Sequence, residues 1–276
     1  MAMRLLDLFS GIGGFSYAAE TLIGGYETVA FCEMDEFCQK VLKKHWPQVP
    51  IFDDVRTLDA ARLGRIDICT FGFPCQPVSQ AGLQRAESDS RWLWDEIIRI
   101  LQVSKPKWII AENVVGLITI ENGLLIENCI SSLEAEGYEV QSVVIPACAK
   151  NAPHRRDRVW IIGQNVANTF NKRLQGGLLG RKNKERQDKQ RHIRCSSSIY
   201  GQPKERAETV VGKMGYLADG ISTGLLRHFD REPEHIPRVT KGEKDRAKKL
   251  KALGNSIVPQ VAAEIILAIR VSEESD

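Results

Sequence analysis

Long apolar runs, paired cysteines and a strong overall charge are all missing from this chain of 276 residues. No stretch approaches the ~20 consecutive apolar residues that a membrane-spanning helix needs, so no span is expected. The N-terminus lacks the basic flank, apolar run and small-residue cleavage site of a signal peptide, and residues 4–9 alternate into a short strand instead. The seven cysteines are an odd number and no two are spaced Cys-x-x-Cys. That argues against both a disulfide framework and a zinc site, and a reducing cytoplasm is the expected setting. The net charge is only +3, but it is unevenly spread. Residues 172–206 carry eleven Lys or Arg against three Asp or Glu, an excess of +8 that leaves −5 for the remainder. A basic segment on an acidic body fits either a polyanionic partner or a solvated, irregular loop.

What is present is an alternation of strand-like and helix-like segments over the first ~165 residues. Strand candidates are 4–9, 27–33, 66–73, 107–113, 138–146 and 158–163, with helix candidates at 14–23, 36–45, 90–103 and 121–136. The pattern predicts an α/β fold with an open, Rossmann-like, mostly parallel sheet and helices on both faces. After Gly163 the composition turns to Gly, Arg, Lys, Gln and Ser. Regular structure is expected again in a basic helix near 243–252 and an apolar one from Gln260 to about Arg270, packed back on the first domain. The expected division is therefore 1–164 with 243–276 as one domain and 165–242 as a small irregular one.

The most informative segment is Phe71-Gly72-Phe73-Pro74-Cys75-Gln76-Pro77-Val78-Ser79. It follows a buried-strand pattern, so Cys75 is expected at the ligand-binding edge of the sheet, in a loop stiffened by two prolines. Most cysteines are small buried hydrophobes, so the motif needs company. Glu112-Asn113-Val114 ends the next apolar strand, and Asp7-Leu8-Phe9-Ser10-Gly11-Ile12-Gly13-Gly14 joins the first strand to the first helix. Glycines at 11, 13 and 14 let the backbone turn tightly and approach a ligand ahead of a helix N-terminus, or simply make a structural turn. Ser16 stands where a dinucleotide fingerprint would need glycine. Glu33 ends the second strand and can accept bonds from ribose hydroxyls; Asp54-Val55 follows the apolar pair Ile51-Phe52. Each is also an ordinary surface acid by type. Phe9 reads either as core or as a ring stacked on a base. His154-Arg155-Arg156-Asp157-Arg158 precedes an apolar strand, and Gly254-Asn255-Ser256 reads as a helix N-cap with Ser256 capping.

As an ordered set, these segments resemble the DNA cytosine methyltransferases that modify carbon 5 of the base. The resemblance covers residues 4–163 and about 250–270. It implies a class I methyltransferase fold and S-adenosylmethionine as cofactor. Asp7, Phe9, Gly11, Gly13 and Gly14 would form the cofactor loop. Glu33 would hold the ribose, and Met34, Asp54 and Val55 the adenine. Asn255 and Ser256 would close over the methionine end. Cys75 would be the nucleophile that adds to carbon 6, Glu112 would contact N3 and the exocyclic amine, and Arg158, supported by Arg156, would hold the cytosine O2. His154 replaces the family's usual Gln. The loop from Gln76 through Ser79 to about Arg91 would close over double-stranded DNA with the cytosine flipped out. By position 165–240 is the target-recognition segment, with Arg181, Lys182 and Lys184 as its phosphate contacts. The resemblance further implies a monomer in the cytoplasm, and a restriction-modification or phage-protection setting with any cognate endonuclease acting separately. A tRNA cytosine methyltransferase and a catalytically inactive DNA-binding relative are the competing readings. Phe73-Pro74-Cys75 fits the DNA branch better than a Pro-Pro-Cys start would, and the intact Cys75, Glu112 and Arg158 set counts against inactivity.

Overall fold

In a computed structural model of the chain, the described residues are 2–74, 93–150, 152, 155–166 and 244–275. They belong to one unit drawn from Met1–Val166 and Arg231–Asp276. Its centre is a sheet of strands β1 (Met3–Leu8), β2 (Tyr26–Cys32), β3 (Ile51–Phe52), β4 (Ile68–Phe71), β5 (Trp108–Val114), β6 (Tyr138–Pro146) and β7 (Asp157–Asn165). The order is β3-β2-β1-β4-β5-β7-β6. Neighbours from β3 to β5 are parallel, whereas β7 runs antiparallel to both β5 and β6. The order reverses between β1 and β4, and the crevice outside the strand ends at such a reversal is where open α/β sheets bind ligands.

The helices are α1 (Gly14–Tyr17), which continues as a π-helical turn over Ala18–Ile23, then α2 (Glu36–His45), α3 (Trp94–Ser104), α4 (Gly116–Thr119), α5 (Leu124–Ala135), α6 (Arg246–Asn255) and α7 (Pro259–Ser275). Asp35 caps α2 by accepting from the Phe37 and Cys38 amides, and Lys43, Lys44 and His45 complement the dipole at its far end. Two core layers sandwich the sheet. One joins β1, β4 and β5 to α3 and α5 through Leu6, Leu8, Phe71, Ile97, Ile100 and Leu133; the other joins the opposite face to α1 and α7 through Leu5, Phe15, Ile110, Trp160, Ile266 and Ile269.

By length and composition alone, Arg246–Glu274 is apolar enough to cross a membrane. Here Val261, Ala262, Ile265, Ile266 and Ile269 are buried in the second core layer, and the Trp108 indole donates to Glu273 at 2.8 Å. Helix α7 therefore packs on the sheet through the second core layer.

Three local readings are corrected. The first strand does not alternate between a buried and an open face: Leu5 to Leu8 are all buried, because β1 lies between β2 and β4 with both faces covered. The pair Ile51–Phe52 is a strand in its own right, held at the sheet edge by Phe31 and Cys32. Ser256 does not cap a following helix. It closes α6 in extended conformation, its hydroxyl donates to the Ile257 carbonyl at 3.1 Å, and α7 starts at Pro259, where a missing amide costs nothing.

Candidate active site

The loop after β1 turns back through left-handed backbone at Phe9 (φ 52°), Gly11 (φ 54°) and Gly13 (φ 84°). For a bulky residue such as Phe9 that conformation is strained, and strain of this kind collects at functional sites. Ser10 secures the bend. Its amide donates to the Cys32 carbonyl at 3.1 Å and its hydroxyl to the Asp7 carbonyl at 2.6 Å. A side chain at Gly11 would meet nothing within 4 Å, so this stretch of backbone faces open space.

Asp7 was expected at the cofactor, but its side chain has no exposed surface. It ties the loop down instead, accepting from Thr70 on β4 at 2.9 Å and from Ser16 on α1 at 3.2 Å. Burial pushes its carboxyl up to about 8, against the opposing effect of the Thr70 and Ser16 bonds. An acid raised in the folded state stabilises the fold most when protonated. That stability is full below the ordinary value of 3.8 and is lost as pH rises through about 8. Asp7→Asn keeps size and hydrogen-bonding capacity. It should hold its stability level from pH 5 to 9, while the unchanged protein declines by on the order of 2–4 kcal/mol. Urea melts across that window check this, and parallel pH dependence in both proteins refutes it.

Glu33, at the end of β2, accepts from the Gly11 amide at 2.7 Å and from the Asp35 amide at 2.7 Å, one with each oxygen. The acid thus reaches across from the second strand to the glycine loop. Gln39 on α2 donates to the Glu33 carbonyl at 2.6 Å and to Asp53 at 3.0 Å, linking β2 to the chain after β3. Met34 is 60% exposed, so its side chain is available at the strand end. Asp54 is held by Arg56, whose Nε and Nη2 donate to it at 3.0 and 2.7 Å and whose side-chain bonds hold its carboxyl below the usual range. Val55 is buried in the core, so any contact it makes with a ligand is through its backbone.

Gly14 has a packing reason that spacing could not reveal. A side chain there would come within 2.6 Å of Ile257 Cγ1, so the turn that carries Asn255 and Ser256 lies directly on the glycine loop. Gly13 similarly makes room for Trp46. Lys251 on α6 reaches Asp35 at 3.0 Å, and Arg156 donates to the Gly254 and Ser256 carbonyls at 2.7 Å each. Arg156 was expected to support Arg158. Its side chain also anchors the turn at the end of α6, and burial together with the nearby Arg158 charge lowers its pKa.

Beside the loop, Glu112 on β5 and Arg158 on β7 form an ion pair at 2.8 Å. Both side chains are largely buried, with 10% and 19% exposure respectively. Burial raises the Glu112 pKa, against the pull of Arg158 and Arg156. Buried ion pairs return little stability for their desolvation, so a raised carboxyl at a strand end points to chemistry. A side chain on Gly72 would meet Glu112 Oε2 at 3.7 Å, and Asn113 donates to the Phe73 carbonyl at 3.1 Å. The strand end that leads toward Cys75 is thereby fastened to the one that carries Glu112. Burial pushes the thiols of Cys32 and Cys38 up to about 12 and about 11 and that of Cys69 higher still, which keeps these three protonated. Cys75, Gln76, Ser79, His154, Arg181, Lys182 and Lys184 lie outside the described residues.

A family model for C-5 cytosine-specific DNA methylases matches residues 3–215. The Type II methyltransferase M.HgiCII of Herpetosiphon aurantiacus is 39% identical over 164 residues, which are 58% of this chain and 37% of that protein. M.NlaX of Neisseria lactamica is 32% identical over 161 residues, or 58% of this chain and 51% of its own length. The orphan methyltransferase M.SPRI of Bacillus phage SPR is 32% identical over 164 residues, again 58% of this chain, and 37% of its own. The chain thus spans about half or less of the length of these relatives. Among solved structures, a DNA modification methyltransferase encoded within an E. coli prophage superposes with a TM-score of 0.52 at 24% identity, over 61% of this chain and 48% of that one. A DNMT2 variant from Spodoptera frugiperda gives 0.51 at 23%, over 59% and 50%. These last two bear on the fold, which is that of the methyltransferases. With most of its length matched by the family model, and with the glycine loop, Glu112 and Arg158 gathered at one edge of such a sheet, the chain belongs to the C-5 cytosine-specific DNA methylase family.

Proposed function

We propose that this protein is a DNA (cytosine-5-)-methyltransferase that uses S-adenosylmethionine and acts on a cytosine flipped out of double-stranded DNA. The observation that carries the reading is the buried Glu112–Arg158 pair at 2.8 Å, set against the strand end that leads to Cys75. Carbon 5 of cytosine is too weak a nucleophile to be alkylated directly. The Cys75 thiolate adds to carbon 6, and the electron pair released makes carbon 5 enamine-like. Glu112 stabilises the charge that develops at N3, which a carboxyl of raised proton affinity does by sharing its proton there. Arg158 keeps that carboxyl oriented and would hold the exocyclic O2 of the cytosine. After methylation, loss of the carbon 5 proton expels the thiolate and restores the aromatic ring.

The residues present fit the cofactor. Gly11 faces open space, the Glu33 carboxylate reaches the glycine loop at the Gly11 amide, and the Asn255–Ser256 turn lies over Gly14. When bound, S-adenosylmethionine supplies the methyl group on a sulfonium. Glu33 and Asp54 would hold its ribose and adenine.

Residues 165–242 would form the target-recognition domain, with the basic stretch 172–206 touching phosphates. Neutralising Arg181, Lys182 and Lys184 should reduce the slope of log affinity against log salt by about 1 for each phosphate no longer paired, with the methylated site unchanged. An unchanged slope rejects phosphate pairing, and an altered site means that these residues read bases.

The relatives' names place them in Type II systems and, for one, in a phage as an orphan enzyme. A cytoplasmic monomer with any endonuclease acting separately fits either setting. The functional test is bisulfite sequencing of DNA from a host lacking cytosine methylation, after expression of this chain. Protected cytosines within one recurrent sequence are expected. Unmodified DNA together with methyl transfer to tRNA would favour the RNA-modifying alternative.

A further inference from the structure

Strand β3 is two residues long and lies at the edge of the sheet. Its ladder positions Ile51 and Phe52 and nothing beyond them. Yet the chain that follows carries Asp54, two residues past the last pairing. Beyond the Gln39 contact at Asp53, that chain is held by a side chain from α3. Arg99 on α3 donates through Nη2 to the Val55 carbonyl at 2.8 Å and to the Arg56 carbonyl at 3.5 Å, and through Nη1 to the Leu58 carbonyl at 3.2 Å. Its Nε is paired with Glu96 at 2.7 Å, one turn back on the same helix. The turn adds its own Thr57 amide bond to the Asp54 carbonyl at 3.2 Å, and Arg56 grips the Asp54 carboxylate. The connection runs from Glu96 through Arg99 to the turn, and through Arg56 to Asp54. A guanidinium spreads five donors over a rigid planar fork that can reach several separate carbonyls, whereas an ammonium has three donors on one nitrogen.

We propose that Arg99 is a positioning residue for base selectivity in the cofactor site. It fixes the turn of residues 54–58 so that Asp54 is aimed at the exocyclic amine of adenine. This rests on the reading above that the chain binds S-adenosylmethionine. Arg99 touches no reacting atom, so it acts on recognition and leaves the rate of the chemical step alone.

The test is calorimetric titration of the full chain, Arg99→Ala and Arg99→Lys with two ligands, S-adenosylhomocysteine and S-inosylhomocysteine. The second carries a carbonyl where adenine carries its amine. The unaltered protein should favour the adenosyl compound by about tenfold or more, as expected for a hydrogen bond to a charged acceptor. In Arg99→Ala that ratio should fall toward one, mostly through weaker adenosyl binding, with Arg99→Lys in between. The lysine variant retains charge and stem, and so keeps the test open if the alanine variant does not fold. A general loss of structure would weaken both ligands alike and keep the ratio, which would overturn the proposal. So would an unaltered protein that binds both ligands equally, since Asp54 would then not read the amine. If the unaltered protein binds neither compound, the methyltransferase reading itself fails.

Discussion

Cys75→Ala should abolish methyl transfer and the covalent adduct with DNA together. Carbon 5 becomes reactive only after a nucleophile has added to carbon 6, so no other residue can replace the thiolate by mere proximity. The expected fall in turnover is roughly 10⁴-fold or more, as for the loss of a covalent nucleophile elsewhere. DNA with 5-fluorocytosine at the target position gives the direct readout. Fluorine cannot leave as a proton does, so the enzyme remains attached after methylation and survives denaturing electrophoresis. Cys32, Cys38 and Cys69 are poor substitutes, since burial holds their thiols protonated. A denaturant-stable adduct in Cys75→Ala would move the nucleophile elsewhere.

Glu112→Gln should lower turnover by about 10² to 10³, the usual cost of removing one group that stabilises developing charge. Cofactor affinity should barely change, because the carboxyl sits with Arg158 on β5 and β7, whereas the acid proposed to hold the ribose is Glu33, just past β2. Glutamine keeps the size and can still accept from Arg158, but it has no proton to share with N3. Single-turnover rates at saturating cofactor, with product-complex affinity measured alongside, check both halves. Near-normal turnover would remove Glu112 from the chemistry. A large affinity loss would mean that it mainly supports the cofactor pocket.

Much of this protein was legible in its residue order. The expected strands and most helices fall within a few residues of their observed limits, because β/α units carry their own signals. Buried strands are short apolar runs, and turns are marked by Gly, Pro and capping acids such as Asp35. Two of the candidate segments were legible for a related reason. Glu112 and the glycine loop each lie at a strand end, so a local motif and its place in the strand sequence suffice to put them at one edge of the sheet.

The sequence could not say which partners each residue would find across the fold. Asp7 reads as a ligand acid and is instead sealed beneath the loop by Thr70 and Ser16. Arg156 reads as a second catalytic cation and, unannounced by the sequence, also grips the turn at the end of α6, 98 and 100 residues further along. Arg99 gave no signal at all, since its carbonyl partners lie 41 to 44 residues earlier. Gly14 was read for its flexibility, while the packed structure shows that Ile257 leaves no room for a side chain. Periodicity and motifs report what a segment does with its own neighbours. Carbonyls, buried carboxyls and close backbone contacts are satisfied by whatever the sheet order brings near, and only the folded chain decides that.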